Sequence, residues 1–157
     1  MNPRDKVAFL KGELDILLQH LTADAKGNWG KMNAQQMVEH LADFFDVSSG
    51  KIKFDVITPA ADLPKYLAFL HSDKEFRENT KAPAGIVSEE PQPPKYASLE
   101  KSLAYLKQSV DDFITYFEQH PSSTTNHPVF GPLDFDNWVL LHYKHVNHHL
   151  RQFLPKP

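Results

Sequence analysis

Residues 134–153 read DFDNWVLLHYKHVNHHLRQF. Asp134 offers a helix N-cap, Pro155 supplies a stop, and Trp138, Leu141, Val146, Leu150 and Phe153 recur at helical spacing. Four of the chain's nine histidines lie within eight residues of this stretch, which makes it the most unusual segment of the chain. At about 100° per residue, with His145 at zero, Trp138 falls near 20°, His149 near 40°, His142 near 60° and Leu141 near −40°. Those side chains share one face. His148 falls near −60° on the same wheel, at its margin.

Three more segments carry a comparable pattern. Val7, Leu10, Leu14, Leu17 and Leu21 alternate steps of three and four, as do Leu99, Leu103, Leu106, Val110, Phe113 and Phe117 after a Ser98 cap and before Pro121. Gly27, Asn28 and Gly30 punctuate the chain. Asn33 with Gln36 then forms a capping-box pattern ahead of a helix that stops near Gly50. The expected fold is all-α, an up-and-down four-helix bundle in one domain spanning 1–157, with helices over about 4–22, 33–50, 98–119 and 134–153.

Residues 51–97 form a long insertion holding six of the twelve prolines. A structureless loop of that length is uncommon in a small domain. Leu63, Tyr66, Leu67 and Leu70 are spaced for a short helix. Ser72 and Glu75, in capping-box register, predict a second one, followed by an extended stretch over Pro91 to Pro94. The insertion is expected either to lid one end of the bundle or to cover a flank.

Composition narrows the functional classes. The seventeen basic residues are scattered and outnumbered by twenty acidic ones, which disfavours nucleic acid as a partner. No apolar run approaches the roughly 20 residues of a membrane span, and the start lacks a signal-peptide core, so a cytoplasmic location is expected. With no cysteine, disulfides, thiolate metal sites and a cysteine nucleophile are excluded. Any metal must be held by nitrogen and oxygen. Gly-rich phosphate loops and Gly-x-Ser-x-Gly elbows are missing from the sequence too.

His145 and His149 are four residues apart, so both can reach one ion from adjacent turns. His40 lies on the core-facing side of its helix with Met37, Phe44 and Val47. Together the three would make a facial set with coordination positions left open. Glu39, Asp43 and Gln152 are near in sequence as groups that could orient an imidazole. The competing reading is that inward histidines are simply satisfied core residues. His20, His71 and His120 fall at helix ends or in the insertion and are expected in solvent, and His127, before a proline, in a structural turn.

Residues 29–41, WGKMNAQQMVEHL, resemble the second-helix signature of the DinB-like superfamily, and residues 145–153, HVNHHLRQF, resemble its last-helix signature. The segment 127–133, HPVFGPL, is similar to a turn in one branch of that superfamily. The resemblance implies a four-helix bundle with metal ligands at His40, His145 and His149, nickel or zinc as the ion, and a homodimer. His148 or His142 remain competitors for a ligand position. The superfamily also includes thiol-dependent transferases, so the expected function is a metal-dependent enzyme acting on a small molecule, either a hydrolase or a transferase using a low-molecular-weight thiol. Glu39 and Asp43, close to His40 in sequence, are the candidate bases. The alternative is a non-catalytic metal or small-ligand binding protein of the stress response.

Overall fold

A computed structural model describes residues 2–80 and 90–154. Part of the 51–97 insertion, residues 81–89, lies outside the described residues, as does Pro155. The described chain is mostly helical, with one small two-stranded sheet.

The first helix opens as α1 (Pro3–Ala8), passes through a π-helical stretch (Phe9–Glu13) and continues as α2 (Leu14–Leu18). Asn2 caps it by accepting from the Asp5 amide at 2.9 Å, and Pro3 suits the first turn, where no amide donor is needed. A π turn holds about one residue more than an α turn, so the inward face shifts. Leu18 is buried, whereas Leu17, inward by heptad spacing, is 37% exposed. The helix also stops four residues short of the expected Thr22, tightening into turns in which the His20 and Leu21 amides reach back three residues.

The next helix, α3 (Ala34–Ser48), opens with the complete capping box: Asn33 accepts from the Gln36 amide at 2.8 Å, and Gln36 accepts from the Asn33 amide at 2.9 Å. Gly50, at φ +79, provides the left-handed residue that ends it. In the insertion a 3-10 turn (Ala60–Asp62) leads into α4 (Leu63–Leu70). The second short helix expected from Ser72 and Glu75 does not form. Ser72 Oγ instead donates back to the Phe69 carbonyl at 2.7 Å, finishing α4 rather than starting a new helix. Residues 91–94 form neither helix nor strand.

Long α5 (Leu99–Gln119), capped by Ser98, packs along α3 in the most extensive helix contact of the molecule. A hairpin that sequence periodicity did not indicate follows: β1 (Thr125–His127) pairs antiparallel with β2 (Gly131–Leu133). His127 Nδ1 accepts from the amides of Val129 and Phe130 at 3.0 and 3.1 Å, which fixes the connecting turn. Finally α6 (Phe135–Phe153), capped by Asp134, lies against α1, α3 and α4. Met37, Leu41, Phe45, Phe113, Trp138 and Leu141 are at most 1% exposed and form the centre of the core.

α3 and α6 are cross-tied near the hairpin. Trp138 Nε1 donates to Thr125 Oγ1 at 2.7 Å, and Thr125 Oγ1 donates to the Ser48 carbonyl at 2.8 Å.

Candidate metal centre

His40 stands in the second turn of α3, and His145 and His149 stand on successive turns of α6. Their Nε2 atoms converge. Nε2 of His145 lies 3.0 Å from Nε2 of His40 and 3.2 Å from Nε2 of His149, and one ring nitrogen from each of the three falls within 4.8 Å of the others. Two nitrogens each about 2.1 Å from one ion lie about 3.0 Å apart at a right angle and about 3.4 Å apart at a tetrahedral one. The observed spacings fall in that interval, so the three imidazoles could hold a metal ion.

The electrostatics suit the same role. Burial lowers the His40 pKa to about 4, with the nearby His148 acting in the same direction. Burial also holds His145 well below the usual imidazole range, aided by His149, His40, His142 and His148, and does the same for His149, aided by His40 and His148. All three are therefore neutral at physiological pH, the form in which a ring nitrogen has a lone pair to donate. An all-imidazole set suits zinc, nickel, copper or iron better than calcium or magnesium, which prefer oxygen.

The rings are held by different means. His149 Nδ1 is 2.7 Å from Gln152 Oε1. His145 has no such bond, its Nδ1 being buried without a partner, and its ring is packed 4.2 Å from that of Phe44. His40 is the half-buried member of the set, with its ring 6.2 Å from Phe44.

The other two inward histidines do not join them. His142 is fully buried, stacks on Phe45 at 3.8 Å and places Nε2 2.8 Å from Ser48 Oγ. Ser48 donates its own hydroxyl proton to the Phe45 carbonyl, so His142 Nε2 carries hydrogen and donates. His148 is buried between Trp29, at 5.3 Å, and Phe76, at 6.0 Å. It sits beside the set, 5.0 Å from the His149 ring, without converging on it. His20, His71 and His120 are exposed.

Glu39 and Asp43 face α5 and the insertion. Glu39 accepts from the Lys95 and Tyr96 amides, Ser102 Oγ and Gln35 Nε2. Burial pushes its pKa up, but these donors outweigh burial and hold the carboxyl below its ordinary value. Asp43 accepts from Lys95 Nζ at 3.1 Å and from the Tyr105 hydroxyl at 3.3 Å.

A family described as "Protein of unknown function (DUF1569)" matches residues 11–156, which include all three histidines. The chain belongs to that family. No curated protein and no solved structure matches the chain. For this DUF1569 member the site therefore rests on its own geometry. That the Trp29 carbonyl supports Gln152 is not readable from residue types, because main-chain partners leave no such signature; only the nearby Gly27 and Gly30 mark the place.

Proposed function

We propose that this protein is a divalent-metal protein of DinB-like, four-helix-bundle type whose ligands are His40, His145 and His149. The observation that carries the reading is the convergence of three neutral Nε2 atoms from two helices. The ion is nickel or zinc, and the working form is a homodimer. When bound, it supplies Lewis acidity at coordination positions the three imidazoles leave open. The protein's own groups hold the ligands neutral, orient His149 through Gln152 and pack His145 against Phe44. The reaction class is hydrolysis or thiol-dependent transfer on a small molecule. Because the chain has no cysteine, the thiol in the second case is a low-molecular-weight cosubstrate.

A second reading, metal or small-ligand binding without catalysis, is favoured by one observation. The two carboxylates closest in sequence to His40 are engaged by Lys95, Tyr96, Ser102, Tyr105 and Gln35, leaving neither free as a base. Elemental analysis of tag-free protein tests both readings at their root. About one metal per chain is expected, with loss in His40→Ala; full metal retention in that variant would sink the assignment. Exogenous thiols altering the spectrum of cobalt- or nickel-substituted protein would favour the transferase reading, and a spectrum indifferent to every added ligand would favour the binding module.

A further inference from the structure

We propose that Gln152, backed by the loop Gly27–Gly30, is a positioning residue of this centre, fixing the tautomer and ring orientation of His149. The inference rests on reading the three histidines as metal ligands, and it concerns what prepares one of them.

The proton assignment follows from what each atom can do. Gln152 Nε2 lies 2.8 Å from the carbonyl oxygen of Trp29, which can only accept. The amide NH2 must therefore face Trp29, and Oε1 must face His149 Nδ1, 2.7 Å away. An amide oxygen is only an acceptor, so His149 Nδ1 carries the hydrogen. Its Nε2 is left with a bare lone pair directed toward His145 Nε2, 3.2 Å away. A ligating imidazole needs that tautomer.

The loop is built to hold this amide. The Asn28 amide donates to the main-chain oxygen of Gln152 at 2.7 Å, and Asn28 Nδ2 donates to that of Arg151 at 3.1 Å, so the loop grips the last turn of α6. Gly30 has φ +80, and a Cβ there would stand 2.8 Å from Gln152 Nε2. A Cβ on Gly27 would meet Gln152 Cγ at 3.1 Å and the Trp29 oxygen at 2.7 Å. The backbone reaches Gln152 only because neither position has a side chain. Gln152 itself is 3% exposed, so water offers it little alternative partnership.

The test compares wild type with Gln152→Met, which keeps bulk but removes both hydrogen bonds, and with Gly30→Ala, which keeps every ligand and Gln152 itself but sets a Cβ against Gln152 Nε2. Zinc or cobalt affinity is measured by chelator competition, the thermal midpoint of each metal-free protein is recorded, and the His149 ring nitrogens are read by 15N NMR. Expected are metal binding weakened about 10- to 100-fold in both variants, and a wild-type His149 protonated at Nδ1 that becomes a tautomer mixture in Gln152→Met. Unchanged affinity in Gln152→Met, or a wild-type ring protonated at Nε2 without metal, would overturn the proposal. The NMR arm on wild type decides the tautomer even if a variant fails to fold. Wild-type metal binding that does not depend on His40 would instead overturn the metal reading, so the two failures are distinguishable.

Discussion

Ser102 Oγ on α5 donates to Glu39 Oε2 on α3 across 2.8 Å, inside the buried seam between those helices. The same carboxylate collects the amides of Lys95 and Tyr96, so one side chain joins α3, α5 and the end of the insertion. Replacing it by Gln removes the negative charge and turns one acceptor into a donor facing other donors. Glu39→Gln should lower folding stability by about 2–3 kcal/mol, measured by urea unfolding, while leaving metal content unchanged. Full stability with lost activity would instead identify Glu39 as a catalytic base.

His142 and His145 are one turn apart on α6 yet are expected to differ sharply on truncation. His142→Ala removes the stack on Phe45 and the bond to Ser48 from a fully buried position, costing about 2–4 kcal/mol. Its metal stoichiometry should match wild type. His145→Ala should lose the metal. Loss of metal from His142→Ala protein that remains folded would contradict the ligand assignment.

His127 makes its turn through one ring atom. Nδ1 accepts two amides, and the Oδ1 of Asn can occupy a similar place. His127→Ala should cost about 1–2 kcal/mol by chemical denaturation, and His127→Asn should recover a good part of it. Equal losses in the two variants would mean that ring packing, not the bonds to Val129 and Phe130, is what His127 contributes.

The buried histidines set the response to acid of the metal-free protein. Burial lowers His40 to about 4 and His127 to about 3, and holds His142 well below its ordinary 6.5. Between 6.5 and those values the unfolded chain binds protons that the folded chain does not, so stability is complete above about 6.5 and falls as pH drops. Each such group contributes a slope of about 1.4 kcal/mol per pH unit inside its window. Urea midpoints at a series of pH values should decline steeply below 6.5; a flat profile down to pH 4.5 would show that these rings are already solvated.

Much of the helical content was legible because caps and periodicity act locally. Asn33 with Gln36, Ser98 and Asp134 each satisfy amides within three residues, a constraint visible in sequence. The three histidines were legible for a related reason: spacing on α6 and the apolar company of His40 both point inward. What escaped depends on contacts distant in sequence or on backbone geometry. The π stretch at Phe9–Glu13 moved Leu17 outward without any residue-type signal. The hairpin has strands of three residues, too short for an alternation to register. A helical wheel gives direction only and does not rank His148 and His142 as ligands; Ser48, Trp29 and Phe76 decide what each ring meets.

The tie from Trp138 through Thr125 to the end of α3 has a bearing on how the protein would take up an ion. It registers the two helices that carry His40, His145 and His149 against each other using only side-chain and main-chain groups, away from those histidines. The centre is therefore a socket rather than a clasp. A metal arriving there has no helices to bring together, so most of its binding free energy would appear as affinity instead of being consumed in folding. Chelation should then give a folded, reloadable protein, unlike a zinc finger, which unfolds when its ion is withdrawn.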